Sequence, residues 1–233
     1  MNTVSVIIAA AGSAQRMNGI NKQLKPLCDI PVIIRSMLAF ENIDNVSEII
    51  VSARECDADS IAYAAKEYNI TKFKTVVIGG ETRQQSIINA LSEVTKETTM
   101  IAVHDGARPL VSPEHVKQCI KDASVFGAST LGVPVKDTLK VVDGGIIVDT
   151  PDRAKIYITQ TPQVFRKKEY YAGVNFAKEH ELDFTDDCQL VEAVGVKVNM
   201  TISDYRNIKL TTPEDFAVAE AILKTESEQL CSE

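Results

Sequence analysis

Two kinds of apolar pattern alternate along this chain. Short apolar runs rich in β-branched residues, "VSVIIAAA" from Val4, "SEIIVSA" from Ser47, "FKTVVIG" from Phe73 and "TMIAVHD" from Thr99, have the length of strands. They show too little alternation for a sheet with one wet face. After each run the apolar residues fall three and four apart, the stripe of an amphipathic helix, in "PVIIRSMLAF", "DADSIAYAAKEY", "TRQQSIINALSEV" and "PEHVKQCIKDASVF". This succession of strand–helix units predicts an α/β fold, a mostly parallel sheet with helices on both faces. Ser112, Pro113 and Glu114 supply a cap, a proline at the first helical position and an acid in the first turn, with Gly127 just past the end. Thr212, Pro213, Glu214 and Asp215 repeat that pattern for the last helix.

The alternation breaks between residues 136 and 162. "TLKVVDGGIIVDT" reads as two β-rich arms around Asp143-Gly144-Gly145, a hairpin signal without a crossover helix beside it, so the arm (about 136–156) projects from the sheet. Long excursions of this kind are more often functional or interfacial than decorative. Beyond it the pattern predicts a strand "KIYITQ", a helix from about Phe165, a short helix after Thr185, a strand "VKVNMT" and the helix from Pro213. Residues 1–225 are expected to form a single domain and 226–233 a frayed tail.

Composition narrows the partners. The 233 residues, 45% hydrophobic and 24% charged, suffice for a sizeable core, and no apolar run approaches the length of a membrane helix. The start lacks a basic n-region and a small-residue cleavage site, which points to the cytoplasm. The five cysteines, Cys28, Cys56, Cys119, Cys188 and Cys231, are scattered without any C-x-x-C, against a disulfide framework or a zinc site. A formal charge of −7 argues against nucleic acid as a partner, so any anion site is local.

The loop after the first run is a candidate for such a site. Gly12 follows directly on the first strand, at the carboxyl edge where open α/β sheets bind ligands, and lacks a Cβ that would keep a ligand from the backbone. Ala14 and Met17 exclude the dinucleotide fingerprint, and no P-loop pattern is present. Arg16, Lys22 and Lys25 follow, one planar fork and two ammonium groups, a set that suits a triphosphate. On this segment alone, a solvated basic loop is an equal reading. Other strand ends shift the balance. "GGETRQQS" places Gly79 and Gly80 at a strand end with Arg83 and Ser86 on the next helix's first turn, a place for an anion or a base edge. "VHDGARP" ends a strand with Asp105 near Arg108, the way a Mg²⁺ on a phosphate chain is held, through one or two carboxylates and water. "NIKLTTPED" brings Lys209 to a further strand end. His104, His115 and His180 are unclustered and read as structural or solvated, and Asp186-Asp187 as a charged first helical turn.

In order and spanning about residues 4 to 224, "AAAGSAQRM", "NKQ", "GGETRQQS", "VHDGARP", "PVKDT", "QTPQVF", "FTDD" and "NIKLTTPED" resemble the 2-C-methyl-D-erythritol 4-phosphate cytidylyltransferase family. The resemblance implies a Rossmann-like nucleotidyltransferase sheet and the joining of CTP to methylerythritol phosphate with release of pyrophosphate. It also implies Mg²⁺, a role in isoprenoid synthesis and a homodimer formed through the β-arm. Carried over by residue, it assigns Ala10, Ala11, Gly12, Ser13, Gly80, Glu81, Arg83 and Ser86 to CTP. Arg16 and Lys22 fall to the triphosphate and the transition state, and Asp105 to the metal. Gly106, Arg108, Thr161, Thr185 and Lys209 fall to the methylerythritol phosphate pocket, Lys209 also to catalysis, and Thr138 and Arg153 to the same substrate across the dimer. Ala14, Gln15, Gly106 and Cys188 depart from the family's usual residues.

The chemistry is consistent with the absence of a nucleophile–histidine set. An ionised phosphate monoester attacks without help from a covalent nucleophile, and catalysis reduces to positioning and electrostatic stabilisation. Ribitol 5-phosphate cytidylyltransferase shares the loop, "HD..RP" and "QTPQ", but "VPVKDT" with a long hairpin resembles the methylerythritol family more closely. A regulatory nucleotide-binding protein without catalysis is disfavoured by Arg16, Lys22, Asp105 and Lys209 together, and a dehydrogenase by the missing glycines.

Overall fold

The first apolar run becomes the hub of a seven-stranded sheet: β1 (Val4–Ala9) lies parallel to and between β4 (Val46–Ala53) and β6 (Met100–Asp105). The computed structural model describes residues 2–12 and 22–230. β5 (Phe73–Ile78) continues the parallel part beyond β4. On the other side β10 (Tyr157–Arg166) pairs antiparallel with β6, β7 (Ala128–Pro134) antiparallel with β10, and β11 (Asn199–Ile202) parallel with β7. The order is β11-β7-β10-β6-β1-β4-β5. After β1 the chain builds outward through β4 and β5, then returns to lay β6 on the opposite flank. The β1–β6 boundary is therefore a topological switch point, where α/β sheets open a crevice at their carboxyl ends.

Both faces of the sheet are covered, which explains the unbroken apolar runs. Val4, Val6 and Ile8 of β1 pack with α1 (Val32–Glu41), α2 (Glu55–Glu67) and α4 (Pro113–Phe126). Ile7 points the other way, with Ile50, Ile101 and Val103, against α3 (Arg83–Leu91), α5 (Lys167–Glu179) and α6 (Asp187–Glu192). A smaller cluster of Leu27, Val32, Leu210, Phe216 and Ala219 docks α7 (Pro213–Leu230) onto the ribbon of β2 (Pro26–Leu27) and β3 (Ile30–Pro31). No helix among the described residues is long and apolar enough to cross a membrane.

The helix signals of α4 hold: the Ser112 hydroxyl accepts the Glu114 N–H, and Gly127 ends the helix at φ 96°. Several expectations are corrected. β7 is a strand that the pattern did not predict, because its serine, threonine and glycine dilute the apolar signal. β10 runs through Arg166, so the helix expected from Phe165 begins at Lys167; Gln163–Arg166 pair with β6, and Phe165 is fully buried in the sheet. The strand expected over "VKVNMT" is Asn199–Ile202.

The hairpin forms as predicted, from β8 (Val141–Asp143) and β9 (Ile146–Asp149), with Gly144 and Gly145 at φ 54° and 83°, the left-handed pair that a two-residue turn requires. Among the described residues its apolar side chains stay largely uncovered. Val142, Ile146, Ile147 and Val148 are 56–70% exposed.

At the amino end of the sheet the Glu48 side chain is only 7% exposed. It accepts hydrogen bonds from Ser5 Oγ (2.5 Å), Thr95 N–H (2.8 Å), Thr95 Oγ1 (2.7 Å) and Lys74 Nζ (2.9 Å). Burial alone would raise the Glu48 pKa, but these donors outweigh it and hold the carboxyl at about 2. A depressed carboxyl stabilises the fold above its unfolded pKa, near 4.5, and that contribution is lost as the pH falls through about 2. Denaturant unfolding between pH 6 and pH 2 should therefore show Glu48→Gln less stable than wild type at pH 6, by about 3 kcal/mol, and the gap closing towards pH 2. A gap constant with pH would mean that Glu48 is not held ionised.

Candidate active site

Parallel register brings four strand ends to one edge. Ala9 lies opposite Asp105 on one side and Ser52 on the other, and Ala53 opposite Ile78. Above them opens a cavity of about 680 Å³. Ala11, Gly12, Lys22, Gly80, Glu81, Arg83, Ser86, Asp105 and Lys209 line it, nine of the residues singled out in the sequence. They come from segments as distant as Ala11 and Lys209. Gln23, Thr82 and Thr211 also line the wall.

Asp105 is the centre of the floor. Lys209 Nζ lies 2.8 Å from Oδ2, Arg108 Nε 3.4 Å from Oδ2 and Arg83 Nε 3.6 Å from Oδ1, while the Asp105 side chain is 9% exposed. Burial would raise its pKa, but Lys209 first, then Arg83 and Arg108, hold the carboxyl well below the usual carboxylate range. Its backbone is fixed as firmly. Asp105 N–H donates to Thr161 Oγ1 (3.0 Å), which pairs with His104 Nδ1 (3.0 Å), and His104 Nε2 meets the Arg108 carbonyl (3.1 Å). A carbonyl only accepts, so Nε2 carries the proton and Nδ1 accepts from the threonine hydroxyl. His104 is neutral, its pKa lowered by burial to about 4, and its reading as structural stands.

The strand-end lysine arrives on a strap. Asn207 donates from Nδ2 to Gln160 Oε1 (3.1 Å) and to the Thr161 carbonyl (3.0 Å), while its own carbonyl accepts Arg108 Nη1 (2.8 Å). Leu210 N–H donates to the Ala107 carbonyl at 2.8 Å. Lys209 is held between these anchors, and Lys22 Nζ donates to the Leu210 carbonyl (3.1 Å) from across the cavity. On the far wall, Ser86 Oγ donates to the Thr82 carbonyl (2.8 Å) and accepts Gly80 N–H (3.0 Å), folding the two glycines over the start of α3. A Cβ on Gly79 would stand 2.3 Å from Ala11 Cβ, so this close approach needs glycine.

The remaining sequence candidates are placed elsewhere. Ala10 is buried, its N–H donating to the Ser52 carbonyl, and Gly106 is packed against Ile33. Arg108 and Thr161 lie beneath and behind Asp105. Thr185 is exposed before α6, bonded to Gln189. Thr138 and Arg153 are on the exposed arm, where Arg153 Nη1 donates to the Lys136 carbonyl (3.0 Å). Ser13 and Arg16 lie outside the described residues. Lys25, grouped with the loop cations, instead stands over the Phe216 ring, 4.1 Å from its centroid, and does not line the cavity. Asp187 is more than a charged helical turn: it is buried and paired with Arg83, which nothing in its local pattern signals.

The family model for 2-C-methyl-D-erythritol 4-phosphate cytidylyltransferase (IspD) matches residues 4–225. The chain belongs to this family. Among its relatives, the 2-C-methyl-D-erythritol 4-phosphate cytidylyltransferase of Caldanaerobacter subterraneus subsp. tengcongensis is 44% identical over 225 residues, 95% of this chain and 99% of that one. That of Bacillus licheniformis is 41% identical over 222 residues, 95% and 96% of the two chains. The crystal structure of 4-diphosphocytidyl-2C-methyl-D-erythritol synthase from Anaerococcus prevotii superposes with a TM-score of 0.85 at 33% identity, covering 96% of each chain. The Thermus thermophilus cytidylyltransferase gives 0.78 at 26% identity, covering 96% of this chain and 100% of that one. As a member of the family the chain is an enzyme of the nucleotidyltransferase class, with the mostly parallel sheet of that class.

The Asp105 crevice makes a stability prediction independent of turnover. Asp105→Asn leaves Lys209, Arg83 and Arg108 facing one another without their shared counter-charge. Removing one partner from a buried ionic cluster is strongly destabilising, about 3 kcal/mol or more. Chemical denaturation should show that loss at pH 7, and added pyrophosphate should restore more stability to the variant than to wild type. Unaltered stability would mean that the cations are balanced elsewhere.

Proposed function

We propose that the Asp105 crevice transfers the cytidylyl group of CTP to the phosphate of 2-C-methyl-D-erythritol 4-phosphate. The products are 4-diphosphocytidyl-2-C-methyl-D-erythritol and pyrophosphate. The observation that carries this is the convergence of Lys209, Arg83 and Arg108 on a single carboxylate, with Lys22 lining the same cavity, at the switch point of a family-typical sheet.

Both reactants are anionic, so the site must hold them together and accept charge that grows on the departing pyrophosphate. Lys22, reaching over the cavity from the loop, and Arg16 before it serve the triphosphate. Lys209 and Arg108 serve the acceptor phosphate, as does Thr185 on the family resemblance. Thr161 acts through its hydrogen bond to the Asp105 backbone. Ala11, Gly12, Gly80, Glu81 and Ser86 frame the cytidine, since backbone groups bared by glycine reach a base edge closely. No covalent intermediate is required: the acceptor oxygen attacks the α-phosphorus in line, and the protein supplies orientation and charge.

Mg²⁺ fits this donor set. Asp105 and Glu81 are the carboxylates among the described lining residues, and no three histidine, cysteine or acidic side chains among the described residues are placed to hold a metal ion together. That suits an ion held by one carboxylate, phosphate oxygens and water, rather than an all-protein cage. Asp105 would hold it, and the ion would supply further neutralisation of the phosphates.

The direct test follows pyrophosphate release from CTP with each candidate acceptor. Release should require CTP, methylerythritol phosphate and Mg²⁺ together. Faster turnover with ribitol 5-phosphate would overturn the acceptor while leaving the reaction class in place.

The arm supports a homodimer in which Thr138 and Arg153 of one subunit reach the site of the other. Its apolar residues find no cover within the chain, and the Arg153 fork suits a phosphate. Inactive Lys22→Ala dimers mixed with inactive Arg153→Ala dimers and allowed to exchange should then recover about a quarter of wild-type activity. Random pairing makes half the dimers mixed, each with one intact site. No recovery after proven exchange would place both residues in the same subunit's site, or Arg153 outside it.

A further inference from the structure

Behind the crevice, Asp187 forms a second ionic contact with Arg83 that the reaction itself does not explain. Its side chain is 1% exposed. It accepts Arg83 Nη1 at 2.6 Å and the Tyr170 hydroxyl at 2.5 Å, and its N–H donates to Gln163 Oε1 at 2.9 Å. Tyr170 is fully buried and stacked on Phe165, with ring centroids 5.0 Å apart, so this carboxylate has no freedom to move. Asp187 thus grips one end of the Arg83 fork. The other end, Nε, stops 3.6 Å from Asp105 Oδ1, beyond hydrogen-bond distance.

A guanidinium free of other ties closes on a carboxylate as a two-pronged fork. Here the short contact goes to the residue behind, and the carboxylate in front receives only the longer approach. Lys209 and Arg108 approach Oδ2, which leaves Oδ1 as the oxygen that Arg83 would otherwise close on. We propose that Asp187 is a positioning residue that holds Arg83 back from Asp105, keeping Oδ1 open to the divalent cation that accompanies the nucleotide. This rests on the nucleotidyltransferase reading above. It gives the buried Asp187 carboxylate a role in metal access, distinct from simply pinning α6 to α3.

Mn²⁺ binding to the full chain, in the presence of CTP and with no polyol phosphate, tests this through the loss of the free-ion EPR signal beyond that caused by the same CTP without protein. Thermal unfolding is recorded beside it. Asp187→Asn keeps the shape but removes the charge that holds Arg83, and Mn²⁺ should bind about 10- to 100-fold more weakly. In an Arg83→Gln background the same substitution should change Mn²⁺ binding by no more than about twofold, because no guanidinium remains to close on Asp105. Tyr170→Phe keeps the ion pair and should lower the melting temperature while leaving Mn²⁺ affinity within about twofold of wild type.

If Asp187→Asn alone fails to fold, unequal Mn²⁺ affinities of Arg83→Gln and the neutral double variant would still overturn the proposal, and Asp187→Glu, which keeps the charge, takes its place as the single variant and should bind Mn²⁺ within about twofold of wild type. An Asp187→Asn affinity equal to wild type would overturn the proposal. So would a loss of the same size with Arg83 absent, or losses that follow melting temperature across the variants. A wild type that binds no Mn²⁺ with CTP would overturn the nucleotidyltransferase reading and this proposal together. The choice of acceptor has no influence on any of these outcomes.

Discussion

One carboxylate shared among three cations organises this molecule. Asp105 closes the end of β6, and Lys209, Arg108 and Arg83 reach it from the strap before α7, the loop before α4 and the start of α3. Holding Arg108 and Arg83 in this partly buried place, with Lys209 beside them, would be costly without a carboxylate between them. With Asp105 in place, the same charges become a concentrated positive field inside a chain whose formal charge is −7. Fields of this kind in a low-dielectric crevice gather anions that the surface at large repels. The acidity of the whole and the cationic floor of the cavity are therefore compatible.

The surrounding hydrogen bonds serve that cluster. Thr161, His104 and the Arg108 carbonyl form a chain in which every donor has an acceptor, so the loop after β6 is held without a charge on the histidine. Asn207 and Leu210 tie the strap to β10 and to Ala107. The Leu27, Val32, Leu210, Phe216 and Ala219 cluster then seats α7 against both cavity-lining segments that carry a lysine. Fixed dipoles and charges need no reorganisation when charge develops on a substrate, which is how such sites accelerate transfer between two anions.

Much of this was legible in residue order. The apolar runs marked β1, β4, β5 and β6, and the α4 boundaries were predicted to the residue from Ser112-Pro113-Glu114 and Gly127. Asp143-Gly144-Gly145 predicted the hairpin because a tight turn needs left-handed residues. Gly12, Lys22, Gly80, Arg83, Asp105 and Lys209 were recognised because each lies at or beside a strand end and carries either bare backbone or charge. What misled was context. β7 contains too many small polar residues to stand out, and "QTPQVFR" looks like the approach to a helix until its pairing with β6 is known. Lys22 and Lys25 are alike in the sequence, yet one lines the cavity and the other covers Phe216.

By itself the sequence determined the elements and their order, the crevice edge and the family chemistry, because periodicity, capping and turn geometry act over a few residues and the motifs keep their order along the chain. Tertiary structure decided which charges meet. Asp187 is separated from Arg83 by 104 positions, and Lys209 lies further still beyond Lys22. Coulomb interactions of buried groups depend on distances of a few ångströms and on the water excluded between them. Those distances are set by which strands are neighbours in the sheet, and no local pattern around Asp187 or Tyr170 records that they close behind the cation facing Asp105.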